Sequence, residues 1–96
     1  MTEPTNEVNA ADFDRLARAL DAVAMASTKK MAEPDLLLIN SLAAGMKRNL
    51  DGYVAEQLEA AINQAKEASG KIKDKQRYYD HFRTYLYKFE NGITLV

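Results

Sequence analysis

The chain is predicted to be all-α, a small antiparallel bundle of four helices. Apolar residues recur at three- and four-residue spacing in four segments of similar length, which is the signature of amphipathic helices. The segments are bounded by capping residues, prolines or glycines, and no stretch alternates apolar and polar residues as a half-buried strand would. Strand content is therefore expected to be negligible. With 96 residues, 47% of them apolar and 28% charged, the chain can build one modest core and no more.

The first helix is expected over about residues 10–30. Asn9 suits its N-cap, Asp12 falls where a carboxylate meets unpaired backbone donors, and Val8 can pack on Phe13 across the cap. Phe13, Leu16, Ala17, Leu20, Val23, Ala24 and Ser27 then form its inward stripe. A second helix is expected over 34–50, with Pro34 in its first position and Leu38, Ile39, Leu42, Ala43, Met46 and Leu50 inward. A third spans 53–69, with Asp51 near its cap, Val54, Leu58, Ala61, Ile62, Ala65 and Ala68 inward, and Gly70 at its end. A fourth covers 72–90 and stops at Asn91–Gly92. One long helix over 34–69 is the alternative to the second and third. Against it, the two apolar stripes are offset by about 90°, whereas a heptad seam on a straight helix drifts by only about 20° per heptad. Residues 1–8 read as a flexible leader, 9–92 as a single helical domain, and 93–96 as an apolar tail.

Six of the eight aromatic residues lie between Arg77 and Phe89. On a helical wheel with steps of roughly 100°, Tyr78, Tyr79, Phe82, Tyr85, Leu86 and Phe89 share one side. Tyr87 falls opposite, and Lys73, Arg77, Thr84 and Lys88 gather on the back. Cations and rings are thus expected on different sides, unlike a single-strand nucleic-acid binder, which needs both on one surface. Phe82, Leu86 and Phe89 are assigned to the core. Tyr78, Tyr85 and Tyr87 are assigned to a partner surface, because tyrosine carries a hydroxyl that favours interfaces over sealed interiors. Ile93, Leu95 and Val96 join them, in a tail that could fold back, pair as an added strand or enter a groove.

Residues 1–70 carry 7 basic and 11 acidic groups, net −4, while residues 71–96 carry 6 basic and 3 acidic groups, net +3. A chain so divided can steer toward an acidic partner or toward a second copy of itself. No catalytic, cofactor-binding or metal site is expected. There is no cysteine, and His81 is the only histidine, so neither a thiolate site nor a paired-histidine site can form. Glu56 and Glu59 read as surface carboxylates. The glycines form no phosphate-binding loop, since the spaced GxxxxGK[ST] pattern is missing.

The expectation is a non-enzymatic module for protein–protein contact: an adaptor, a chaperone-like accessory factor or an inhibitor, acting as a homodimer. The alternative is a small nucleic-acid-binding factor using Lys71, Lys73, Lys75, Arg77 and Lys88. A cytoplasmic location is expected, because the first residues show no secretory signal and no apolar run is long enough for a membrane span.

Overall fold

A computed structural model describes residues 3–96. Four helices pack as a small all-α bundle: α1 (Ala10–Met25), α2 (Lys29–Lys47), α3 (Gly52–Ala68) and α4 (Lys75–Gly92). Two short strands, β1 (Glu7–Val8) and β2 (Thr94–Leu95), flank them. Hydrogen bonds tie the start of α1 to the end of α2 and to the C-terminal tail: Asn6 N–H donates to Asn49 O and Ala10 N–H to Val96 O. At the other end Gly70 N–H, after α3, donates to Ala26 O, after α1. The helices therefore run up and down in chain order.

Side-chain caps set three of the four helix starts. Asn9 Oδ1 accepts from Asp12 N–H at 3.1 Å, and Asp51 Oδ1 accepts from Val54 N–H at 2.8 Å. Thr28 Oγ1 accepts from Met31 N–H at 3.2 Å, and this bond corrects the sequence reading of α1 and α2. Thr28 takes an extended conformation to cap α2, so α1 stops at Met25 instead of continuing to about residue 30. Pro34, expected in the first position of α2, lies inside the helix, where it removes one backbone donor. The helix starts upstream of it because the Thr28 cap is there and Ala32 is buried. α4 likewise begins at Lys75 and not at 72. Gly70 (φ 78°) and Asp74 (φ 58°) are both left-handed, and the turn between them separates α3 from α4.

The continuous helix over 34–69 does not form. Asn49 and Asp51 instead bind the chain ahead of α1. Asn6 sits in the left-handed region (φ 57°), which asparagine tolerates. Its amide grips Asp51 twice: Nδ2 donates to Oδ2 at 3.0 Å and Oδ1 accepts from the Asp51 N–H at 2.9 Å. Asn49 Nδ2 donates to Thr5 Oγ1 and to Glu7 O, along the free edge of β1. Residues 5–8, expected within a flexible leader, are thus tied to the bundle. The small parallel ladder, Glu7 opposite Thr94 and Val8 opposite Leu95, is the strand content that helical periodicity could not foresee.

α1 and α3 form the middle of the bundle; α2 flanks α1 and α4 flanks α3. The middle helices bury small residues, Ala24, Ala61, Ala65 and Ala68, beside the larger Leu16, Leu20, Val23 and Leu58. Helices faced with alanine approach closely and leave volume at their edges. Phe82 and Phe89 of α4, both fully buried, fill that volume, and Phe89 meets Phe13 with ring centroids 6.1 Å apart. Gly92 completes the contact: a side chain there would meet Val54 of α3 at 3.0 Å.

Phe82→Ala should destabilise the fold by about 3–5 kcal/mol, because it opens a cavity at a fully buried position. Tyr87→Ala, at a position 66% exposed, should change stability by less than about 0.5 kcal/mol. Denaturant titration of both variants checks the pair. Asp51 predicts a pH dependence. Its bond from Val54 N–H, and then the Asn6 amide, hold its carboxyl below the ordinary 3.8. A depressed carboxyl stabilises the fold above its unfolded pKa, and that contribution is lost as pH falls through the lower folded value. The stability gap between wild type and Asp51→Ala should therefore narrow as pH drops below about 4, read by thermal melts across pH.

Candidate functional site

The residues assigned to a partner surface all belong to α4 or the tail, and the fold distributes them over three places. Tyr78 and Tyr85, seven residues apart, are half-buried on the flank of α4 beside α3. Tyr87 faces away from them into solvent. The tail folds onto its own chain as β2: Thr94 N–H donates to Asn6 O and Val96 N–H to Val8 O, both at 2.9 Å. Ile93 packs against the core, while Leu95 and Val96 stay exposed.

Basic residues stand over the tyrosines, contrary to the separation expected from the wheel. Lys71 Nζ lies 4.8 Å from the centre of the Tyr78 ring, and the Arg77 guanidinium lies 5.4 Å from it. Lys88 Nζ lies 5.0 Å from the Tyr85 ring. A wheel places only Cα positions. Long lysine and arginine stems bend back along the helix and carry their charge over a neighbouring ring. Lys71 comes from the loop before α4, where a wheel does not apply. Lys73 is exposed nearby.

Lys75 is the exception among the basic residues proposed for nucleic acid. Its ammonium turns inward and donates to Ala26 O at 2.9 Å and Ala68 O at 2.8 Å. Lys29 does the same from α2, donating to Lys66 O at 2.9 Å and Ser69 O at 3.2 Å. Two ammonium groups thus bind carbonyls at the ends of α1 and α3, where the helix dipole is negative. Burial, and then the Lys29 charge, push the Lys75 amine below the ordinary lysine value. Lys75 is a structural capping group, and the cationic surface consists of Lys71, Lys73, Arg77 and Lys88. The sequence held no sign of this role, because the carbonyls belong to residues 49 and 7 positions away.

The opposite flank of α4 faces α1, where Tyr79 Oη donates to Asp21. That bond, then burial, raises the Tyr79 pKa. On α3, Glu59 pairs with Lys47 of α2, whereas Glu56 and Glu67 are exposed and form no ion pair among the described residues. His81 is exposed. No group of three His, Cys, Asp or Glu side chains that could hold a metal ion occurs among the described residues. Within the same residues, no helix is long and apolar enough to cross a membrane. Four clefts run between α1 and its neighbours, and none of the four is lined by Tyr78, Tyr85 or Lys88.

Lys75→Met keeps the apolar stem but removes the charged donor from two carbonyls that each retain one backbone donor, Gly70 N–H on Ala26 O and Lys71 N–H on Ala68 O. It should cost about 1.5–3 kcal/mol, the range for bonds to a charged group, while Lys73→Met should leave stability within about 0.5 kcal/mol. Chemical denaturation of the two variants side by side checks the assignment.

Compared with known family models, curated proteins and solved structures, the chain matches none, so its functional reading rests on its own geometry.

Proposed function

We propose that this chain is a non-enzymatic protein–protein interaction module, an adaptor or accessory factor that associates with itself and works in the cytoplasm. The absence of cysteine from the sequence fits a reducing compartment and supports that location. The observation that carries the functional reading is the flank of α4 beside α3, where Tyr78 and Tyr85 are half-buried and cations stand over their rings. Tyrosine supplies contact area and a hydroxyl at little entropic cost, and arginine a planar fork of donors, which is why interfaces are rich in both. Tyr53 and Tyr87, each about two-thirds exposed, add aromatic area on the outer surface.

Binding of single-stranded nucleic acid is the second reading, favoured by the same meeting of cations and rings. Two features count against it. The Tyr78 and Tyr85 rings already carry cations of their own chain, so a base would have to displace them to stack. Glu56 and Glu67, on the adjacent helix, weaken the positive field that would attract phosphates.

Sedimentation velocity over a concentration series tests the first reading. The expected outcome is a shift from monomer to dimer in the range of about 10–200 μM. Fluorescence anisotropy with a labelled single-stranded oligonucleotide tests the second. Tight binding that weakens steeply from low to moderate salt, without self-association, would overturn the first reading in favour of the second.

A further inference from the structure

The outer surfaces of α3 and α4 form a single face with two stripes of opposite charge. On α3, Tyr53, Glu56, Ala60, Asn63 and Glu67 recur at helical spacing along the side away from the core; all are exposed except half-buried Ala60. On α4, Arg77, His81, Thr84 and Lys88 recur in the same way, and all four are exposed. Neither stripe contains a charge of the other sign. The α4 stripe borders α3: Gly92, on the same flank, lies against Val54, while Tyr79 on the opposite flank is bonded to α1. The α3 stripe lies to one side of Glu59 and of the backbone of Lys66, which make polar contacts with α2. Glu56, Glu67, Arg77 and Lys88 have no ion-pair partner among the described residues.

The two stripes are also in register. α3 and α4 are antiparallel, with Gly92 against Val54 at one end and the Lys75 ammonium on Ala68 O at the other. This sets Lys88 level with the turn of α3 near Glu56, and Arg77 level with the turn near Glu67. The position of each charge along the bundle therefore matches that of an opposite charge.

We propose that this face binds the same face of a second copy of the chain, across a two-fold axis running along the helices. That axis lays α3 of each copy on α4 of the other, keeping every level unchanged. Glu56 then meets the partner copy's equivalent of Lys88, and Glu67 that of Arg77, twice over by symmetry. An in-plane axis across the helices would instead lay α3 on α3, stacking carboxylates on carboxylates. Charge thus selects between the two arrangements. Ala60 and Thr84, small residues near the middle of each stripe, allow close approach, and Tyr53 adds apolar area at one end. The helices are about 26 Å long and lie about 10 Å apart, so the face covers on the order of 500 Å² per copy. That is at the small end for a specific contact and fits a reversible dimer in the micromolar range. The inference rests on the self-association reading and specifies its surface.

Charge exchange tests it. Glu56→Lys with Glu67→Lys makes both stripes basic, and Arg77→Glu with Lys88→Glu makes both acidic. Each double variant alone should raise the dimer dissociation constant by at least about tenfold, because every cross-copy attraction becomes a repulsion. An equimolar mixture of the two should dimerise again, as should the quadruple variant, since each restores opposite charges across the axis. A mixture that stays monomeric would overturn the pairing. Double variants that dimerise like wild type would overturn this surface while leaving self-association intact. A wild-type chain that is monomeric up to about 200 μM would remove both. Far-UV circular dichroism checks that each variant is helical. Should one fail to fold, a salt titration of the wild-type dimer reads the same contact: a dissociation constant that does not rise with ionic strength overturns the proposal.

Discussion

Burial of Phe82 and Phe89 is the constraint on which the rest of this structure depends. The middle helices, α1 and α3, bury alanines beside Leu16, Leu20 and Leu58, and their one buried ring is Phe13. The two largest fully buried side chains, Phe82 and Phe89, come from α4. Once both phenylalanines point inward, the rotation of α4 about its own axis is set. Tyr79 must then face α1, Tyr78 and Tyr85 must lie along α3, and Arg77, His81, Thr84 and Lys88 must line the outer surface. The arrangement of charge on the outside is thus a consequence of volume on the inside.

The two ends of the bundle are closed by different chemistry. At one end, amide side chains do the work: Asn6 and Asn49 bind Asp51 and the strand β1, so the turn between α2 and α3 is locked to the start of α1. At the other end the groups are ionic, with Lys29 and Lys75 each donating to two helix-terminal carbonyls. Exposed ion pairs contribute little, but ammonium groups held over the ends of buried helices add charged hydrogen bonds where the helix dipole is negative. Pro34 within α2 works the other way, removing a donor from a helix on the outside of the bundle.

The proposed function draws on what these closures leave over. Lys29 and Lys75 are consumed by the fold, Lys47 pairs with Glu59, and Asp12 and Asp14 have arginine partners on their own helix. Unpaired charge remains on the joint face of α3 and α4, with tyrosines beneath the cations. A face that is charged, ordered and lined by amphipathic rings is suited to recognition more than to reaction. Its alternation of sign favours a protein surface, or another copy, over a uniformly negative polymer.

Local sequence determined the helices and their inward sides. The spacing of Leu16, Leu20 and Val23, of Val54, Leu58 and Ile62, and of Phe82, Leu86 and Phe89 is periodic on its own, and the Asn9 and Asp51 caps act within three residues. α1 ends before its periodicity does, because Ala24 and Ser27 continue its inward rhythm and only the Thr28 cap divides it. Everything that joins distant residues was decided by the tertiary structure. Val8 pairs with Leu95, Asn6 grips Asp51, and Lys75 reaches Ala26, across separations of 45 and 49 residues for the last two. The same holds for the candidate site. Its tyrosines and most of its cations could be named from their order, but not the placing of one over the other, nor the acidic stripe of α3 beside them. A hydrogen bond or a charged face depends on which helix lies next to which, and that is set by the packing of the core as a whole.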